Sequence, residues 1–411
     1  MTGDRLLVVG SGGRVFREYA LAAMSRRASV LLAAPQEPSW EVPYLTDHVR
    51  VDPYDGDALA AAARRLRVDG VLTYDERLVE PVARLAERTG LPYTAGEAVR
   101  TCKDKSLLRR CLDRAGLSPV RYAVARDVDE ALAAVAAIGY PVVLKPRALG
   151  GSTGVVRVDD EPALLDAFGV AVEARVNGRR SAYPGVLVEE YLDGPEYSLD
   201  CVTWEGVTHP LVLAEKTVAF PPYFEEVGHT VPARPHPDLD DAVRLVQETH
   251  RAVGLDRLVT HSEFRLTSRG PRMVEVNARI GGDLIPYLGL LATGVDVAGA
   301  AADVALGRAP DLRTDRQRVA TTVVVYPARD MRVDAVRLRR DRGCYPGLDR
   351  FEMVVPPGSE VRLPPRGFTS RAAVAVVVGD TREQCEQRTR LVVEDVSVEG
   401  EELLVESLSL T

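Results

Sequence analysis

Lysine is almost missing from this chain. Of 52 basic residues among 411, only Lys103, Lys105, Lys145 and Lys216 are lysine, and arginine supplies the positive charge everywhere else. Positions kept as lysine against that background are ones where a planar guanidinium does not serve. A compact ammonium on a flexible stem suits a phosphate oxygen reached in a tight space. Other absences remove whole classes of function. The five cysteines (Cys102, Cys111, Cys201, Cys344, Cys385) form no CxxC or CxxH pair, which argues against structural zinc and a disulfide framework and for a reducing cytoplasmic setting. No apolar run reaches the ~18 residues a membrane span needs. MTGDR passes straight into LLVVG without the basic and then apolar pattern of a secretory signal, so neither membrane nor export is expected. A formal net charge of −8 leaves no basic excess for the phosphates of a nucleic acid. GxxxxGK[ST] is absent, which excludes a P-loop, and GSGG (10–13) lacks the third glycine of GxGxxG, so it reads as a tight turn.

What is present is organised by apolar runs. A chain of 411 residues is too long for one small core and should divide into two or three domains. Strand-like 5–10 (RLLVVG), 29–33 and 70–74 alternate with helix-like 17–27, 56–67 and 77–89, which implies a parallel sheet with helices on both sides. A second unit begins near Thr101 with a helix over 103–115, closed by Gly116 with Pro119 beyond it. A helix at 128–138, a strand at 140–146, the loop RALGGSTGVV (147–156) and a strand at 185–191 follow. NGRRSAYPG (177–185) is the best surface-loop candidate, 237–253 an amphipathic helix, and 258–279 a hairpin. From about 318 the runs are short and β-like, as in a small α+β tail.

Three constellations carry chemistry. In the hairpin, His261, Glu263 and Arg265 share one face of the first arm. In the second, Val274, Val276 and Ala278 alternate with Glu275, Asn277 and Arg279. With the turn centred near Arg269, Glu263 falls opposite Glu275, their Cβ atoms roughly 5 Å apart. Two facing carboxylates repel unless one takes a proton or a cation joins them. Two carboxylates and an amide are hard oxygen ligands that suit Mg²⁺; a solvated face with the register off by two is the alternative. Arg279, one pleat on, suits arriving phosphate or carboxylate oxygens. Lys145 ends an apolar strand directly before RALGGSTG, whose backbone N–H groups can fold over phosphates as a flap. In VEEYLDGPEYSLD the strand breaks at Asp193–Pro195, leaving backbone groups near Glu190–Leu192 able to read an adenine edge and Glu196 placed for ribose hydroxyls.

In this order, the DK lysine, the strand-end lysine with its glycine loop, EEYLDGPE, the acid on one strand and E-x-N on the next resemble the ATP-grasp superfamily over roughly residues 1–310. The resemblance implies a mixed α/β and α+β fold: an N-terminal Rossmann-like domain (1–100), a two-subdomain ATP-binding grip (101–190 and 191–310) and a small β-rich C-terminal domain (311–411). It implies that Lys105 and Lys145, with Lys216, contact ATP. The loop 148–154 (Gly150, Gly151, Ser152) would cover the triphosphate. Glu189, Glu190, Tyr191 and Leu192 would hold adenine, and Glu196 the ribose. Glu263, Glu275 and Asn277 would bind two Mg²⁺ ions, with Mn²⁺ as a substitute. A closer likeness is to carboxylate–amine ligases that make dipeptides, the L-amino-acid ligases. PYFEEVGHTVPA is similar to their substrate segment and points to Glu226 and His229. ARIGGDLIP is similar to their arginine–glycine–proline loop and points to Arg279, Gly281 and Gly282. Glu76 in TYDE is expected to reach the site from the first domain. Asp283 stands where some members carry a bulky aromatic, which suggests a larger or amine-bearing substrate side chain, although it could instead cap the helix that follows. The implied activity is ATP-dependent amide formation between small-molecule carboxylates and amines, in a homodimer at the family level. The rivals are a biotin-carboxylase-like or purine-pathway carboxylase, and a non-catalytic ATP-binding protein.

Overall fold

The computed structural model describes residues 3–176 and 178–403. Met1 and Thr2 of the MTGDR start, Asn177 of the surface-loop candidate and the last stretch of the tail, 404–411, lie outside the described residues. The first unit is the expected parallel sheet, in the spatial order Asp47–Arg50, Ser29–Ala34, Arg5–Val9, Gly70–Leu72. The three strands Ser29–Ala34, Arg5–Val9 and Gly70–Leu72 are apolar on both faces because both are covered, while the edge strand Asp47–Arg50 is polar and largely exposed. Leu6, Val8 and Val30 pack toward helices Arg14–Ser25 and Val297–Ala305. Leu7, Val9 and Leu31 pack toward Gly56–Leu66 and Val79–Thr89.

The expected helix over 103–115 is present from Lys105 to Ala115, and a separate helix that the sequence reading did not include, Gly96–Lys103, precedes it. Gly96–Lys103 ends and Lys105–Ala115 begins at Asp104, which closes the first and caps the second by accepting from Ser106 N–H at 3.0 Å. An aspartate there ends the run because its carboxylate satisfies the new helix's free donors. An antiparallel sheet follows, in the order Tyr122–Ala125, Val186–Glu190, Val142–Pro146, Val156–Val158, backed by helices Val128–Ile138 and Glu161–Glu173.

The largest element is an eight-stranded sheet whose hydrogen-bonded pairs are all antiparallel. It runs from the hairpin Gly270–Asn277 and Leu258–Thr267 through Glu196–Trp204, Val207–Ala219 and Glu225–Val231. Three strands of the tail, Val319–Val325, Ala373–Gly379 and Leu348–Met353, then continue the same sheet. The apolar run AVAVVVG (Ala373–Gly379) is paired on both edges, by Val319–Val325 and Leu348–Met353, and Val319–Val325 in turn takes the edge of Glu225–Val231. A three-stranded sheet (Ser359–Val361, Met331–Leu338, Val396–Glu402) and helix Arg382–Asp395 complete the tail. Among the described residues no single helix is long and apolar enough to cross a membrane.

Candidate active site

The hairpin brings two acids face to face. Its ladder pairs Thr267 with Gly270 and Phe264 with Met273, and then Glu263 with Glu275. Val274 is therefore an extra residue, a bulge in which two residues of one strand oppose one of the other. The expected alternation over 274–278 is corrected accordingly: Met273, Val276 and Ala278 enter the core, while Val274 joins Glu275 on the site face. A regular ladder would turn Glu275 inward, because a slip of one residue swaps the faces. The facing acids are as expected, but the bulge produces them.

In front of this pair opens a cleft of about 700 Å³, lined by Lys105, Lys145, Gly151, Ser152, Glu196 and the two acids among others. Lys105 and Lys145 line it, Lys216 touches three of its acids, and Lys103 sits farther off against Glu76, so each lysine faces a carboxylate. Lys105 Nζ is 2.8 Å from Glu275 and also donates to Leu149 O. Lys145 is 2.5 Å from Glu189, and Lys103 is 3.0 Å from Glu76. Lys216 touches Glu196, Glu263 and Glu226 at 2.6, 2.7 and 3.1 Å. Burial works against ionised Glu275, but the Lys105 charge and hydrogen bond and the Asn277 amide, 2.8 Å away, hold it below the usual carboxylate range. Lys216 is likewise buried, yet its three carboxylates raise its pKa well above the ordinary value. Lys145 behaves differently. Burial lowers it, Glu189 only partly restores it, and nearby Arg109 and Lys105 press it further down.

At the nucleotide end several of the expected residues are paired within the protein. The Glu189 carboxylate is taken up by Arg109 Nε at 2.6 Å as well as by Lys145, and despite burial these cations hold it at about 2. Both of its oxygens are thus engaged, by Arg109 and Lys145. Glu190 turns to Arg121 and Arg269 at 3.0 and 2.8 Å. The N–H groups of Glu190 and Tyr191 are already bonded to Arg121 O and Pro141 O, and Leu192 O accepts from Arg265 at 2.8 Å. Among the described residues the Leu192 N–H has no partner, unlike those of Glu190 and Tyr191. Tyr191 stacks with Phe224, centroids 6.3 Å apart, as a flat wall. Glu196, held at about 2 against the effect of burial by Lys216 and Arg265, borders the cleft. Gly151 and Ser152 line it, while Gly150 lies over Glu76 instead. A Cβ on Gly151 would sit 2.8 Å from the Thr369 methyl, so the loop meets the tail there without a side chain between them.

At the other end Arg279 Nε lies 3.0 Å from Glu76, which also takes Lys103; Glu76 arrives as expected but as a counter-ion to Arg279. A Cβ on Gly281 would fall within 2.9–3.1 Å of the Asp200 carboxylate and His261 Nδ1, so only glycine fits. Asp200 Oδ1 is 2.6 Å from His261 Nδ1, and His261 Nε2 is 3.3 Å from Glu263. Although burial lowers it, these two carboxylates lift His261 to about 9. His229 Nε2 sits 3.2 Å from Glu226 and 3.4 Å from Asp283; burial opposes its charge, but those acids raise its pKa. Asp283 is gripped by both terminal nitrogens of Arg371. The acid at 283 is thus paired with Arg371 and His229, and it does not cap the helix that follows, whose N-cap is Leu284. Glu226, His229 and Asp283 also lie close enough together to share an ion, with Lys216 against Glu226 and Arg371 against Asp283.

For a divalent cation, Glu263, Glu275 and Asn277 offer only hard oxygen donors. No cysteine is part of the set, and His261 turns Nδ1 away to Asp200, so the residues fit Mg²⁺. Arg109, Asp200 and Arg371 escaped the sequence reading. Their partners lie 61 to 88 residues away, and no local spacing signals such pairs.

A family model described as an ATP-grasp domain matches residues 138–287. The phosphoribosylamine–glycine ligase of Streptomyces coelicolor is 31% identical over 343 residues, 78% of this chain and 78% of that protein. The alanine–anticapsin ligase of Bacillus subtilis is 26% identical over 296 residues, and the match spans 65% of this chain and 60% of the ligase. Among solved structures, an L-amino acid ligase from Bacillus licheniformis superposes with a TM-score of 0.82 at 20% identity, covering 98% of this chain and all of that one. The chain belongs to the ATP-grasp family, whose enzymes use ATP and Mg²⁺.

Proposed function

We propose that the protein is an ATP-dependent carboxylate–amine ligase that joins an acid to an amine, both of amino-acid type, releasing ADP and phosphate. The observation that carries this reading is the facing of Glu263 and Glu275 between Lys105 and Lys216, with Arg279 one pleat beyond. The names of the alanine–anticapsin ligase and the L-amino acid ligase support the substrate class.

A carboxylate resists attack by an amine until one of its oxygens can leave. In the proposed reaction that oxygen attacks the γ-phosphorus, the bond to the β-bridging oxygen breaks, and an acyl phosphate and ADP result. The amine then adds to the acyl carbon, and phosphate leaves with the oxygen that came from the acid. Lys105 and Lys145 are positioned for phosphate oxygens, Glu196 for ribose hydroxyls, and Ser152 and the glycine loop to cover the triphosphate. Glu263, Glu275 and Asn277 would hold one or two Mg²⁺ ions (or Mn²⁺), which supply charge neutralisation for the phosphoryl group. Arg279 and the amides of Gly281 and Gly282 serve the acyl phosphate and the tetrahedral oxyanion. His229, whose pKa is raised by Glu226 and Asp283 against the effect of burial, would act with Glu226 to orient a substrate. The amine proton leaves to a carboxylate or to water.

The test is a panel of amino acids with MgATP, reading ADP, phosphate and product mass. The reading expects ADP and phosphate released in step with an amide product. ATP bound without turnover for any acid–amine pair, or hydrolysis driven by bicarbonate without an amine, contradicts it.

A further inference from the structure

The loop carrying Gly281 and Gly282 is held from both ends of the chain. After the two glycines, Asp283 and Leu284 both take left-handed backbone, at φ 49° and 66°. That region is costly for residues with side chains, and two in succession persist only where the surroundings over-determine them. Two arginines do so. Arg17, from the first helix, runs beneath Gly12, where a Cβ would lie 3.1 Å from its stem. Its guanidinium lies 5.2 Å from the Tyr74 ring centroid, and its Nη1 donates to Gly281 O at 3.0 Å. Arg371, from the tail, grips both oxygens of Asp283, with Nη2 donating at 2.7 Å. Arg371 packs 5.9 Å over the Phe16 ring, and its backbone N–H bonds Thr369 O at 3.0 Å. Thr369 N–H in turn donates to Glu225 Oε2 at 3.1 Å, which ties that turn to the central sheet.

In a trans peptide the C=O of one residue and the N–H of the next point in opposite directions. Fixing Gly281 O on Arg17 therefore turns the Gly282 N–H to the far side of the loop. We propose that Arg17 and Arg371 are positioning residues: they hold Gly281–Leu284 in its left-handed turn, so that the Gly282 N–H is aimed beforehand at the oxygen on which charge develops. What the loop donates to rests on the ligase reading above; what holds the loop does not.

Hydrogen exchange without substrate separates the two. The variants are Arg17→Met and, because Arg371→Gln alone leaves the buried Asp283 carboxylate with His229 as its sole cation, Arg371→Gln combined with Asp283→Asn. In each, the Ile285 N–H, bonded to Gly282 O at 2.9 Å, should exchange about tenfold faster, while the strand Leu258–Thr267 keeps its protection. In amine-dependent ADP release, Arg17→Met should lower kcat about 100-fold with KM for ATP nearly unchanged, and Arg17→Lys or added guanidinium should restore part of it. Unchanged exchange at Ile285 overturns the proposal whatever the kinetics, and so does faster exchange throughout the protein. A wild-type protein without amine-dependent turnover would sink the ligase reading and leave exchange to decide the clamp.

Discussion

Glu275 is the residue on which most of the site leans: it faces Glu263, binds Lys105 and orders Asn277. Glu275→Gln should cut turnover by at least about 10³-fold by removing a charged ligand, with a far-ultraviolet spectrum and thermal midpoint close to wild type. Residual activity within tenfold of wild type would rule out its proposed metal role. His261 makes a separate prediction about stability. Its pKa is about 9 in the folded chain against 6.5 when unfolded, so its contribution is complete below pH 6.5 and disappears as pH rises through 9. Full loss corresponds to about 3 kcal/mol. Denaturant unfolding between pH 6 and 9.5 should show this fall in wild type and a flatter profile in His261→Gln; equal profiles would contradict the assignment. Lysine scarcity made this scale legible, since three of the four lysines line the cleft or touch its acids. The neutralisation of Asp283 by Arg371 was not legible, because a counter-ion 88 residues away leaves no trace in local spacing.

Elements place these residues, and Asp104 shows how. Its carboxylate caps the helix Lys105–Ala115 and also binds Arg147 at the root of the glycine loop, with Nε donating at 3.1 Å. Asp104→Ala should destabilise the protein by about 2 kcal/mol, from the lost cap and an unpaired guanidinium. It should also raise KM for ATP, because Lys105 and the loop lose a shared anchor. Asp104→Asn should keep most of the cap, and an unchanged melting midpoint in the alanine variant would refute the argument. Strand and helix types were largely readable from apolar spacing. The break at Asp104 and the bulge at Val274 were not, since each inserts a change of direction within a run that keeps its composition. The hairpin's facing acids were inferred from a turn centred on Arg269. The ladder reaches the same pair from a turn half a residue earlier plus one bulged residue.

For the molecule as a whole, the tail is part of the central sheet: Val319–Val325 pairs with Glu225–Val231, the strand that carries Glu226 and His229. A chain ending at residue 312 would leave that edge unpaired and remove Arg371, and it should fail to give soluble folded protein; a soluble, ATP-binding fragment would show that the sheet does not need the tail. Apolar runs announced these strands, but period-two alternation does not say which edge they join. The central claim, that ATP activates a carboxylate through its own oxygen, is tested most directly with an acid substrate labelled with ¹⁸O in its carboxylate. Mass analysis of the phosphate after one turnover should find one ¹⁸O atom per phosphate for each amide formed. Unlabelled phosphate alongside amide product would contradict the account.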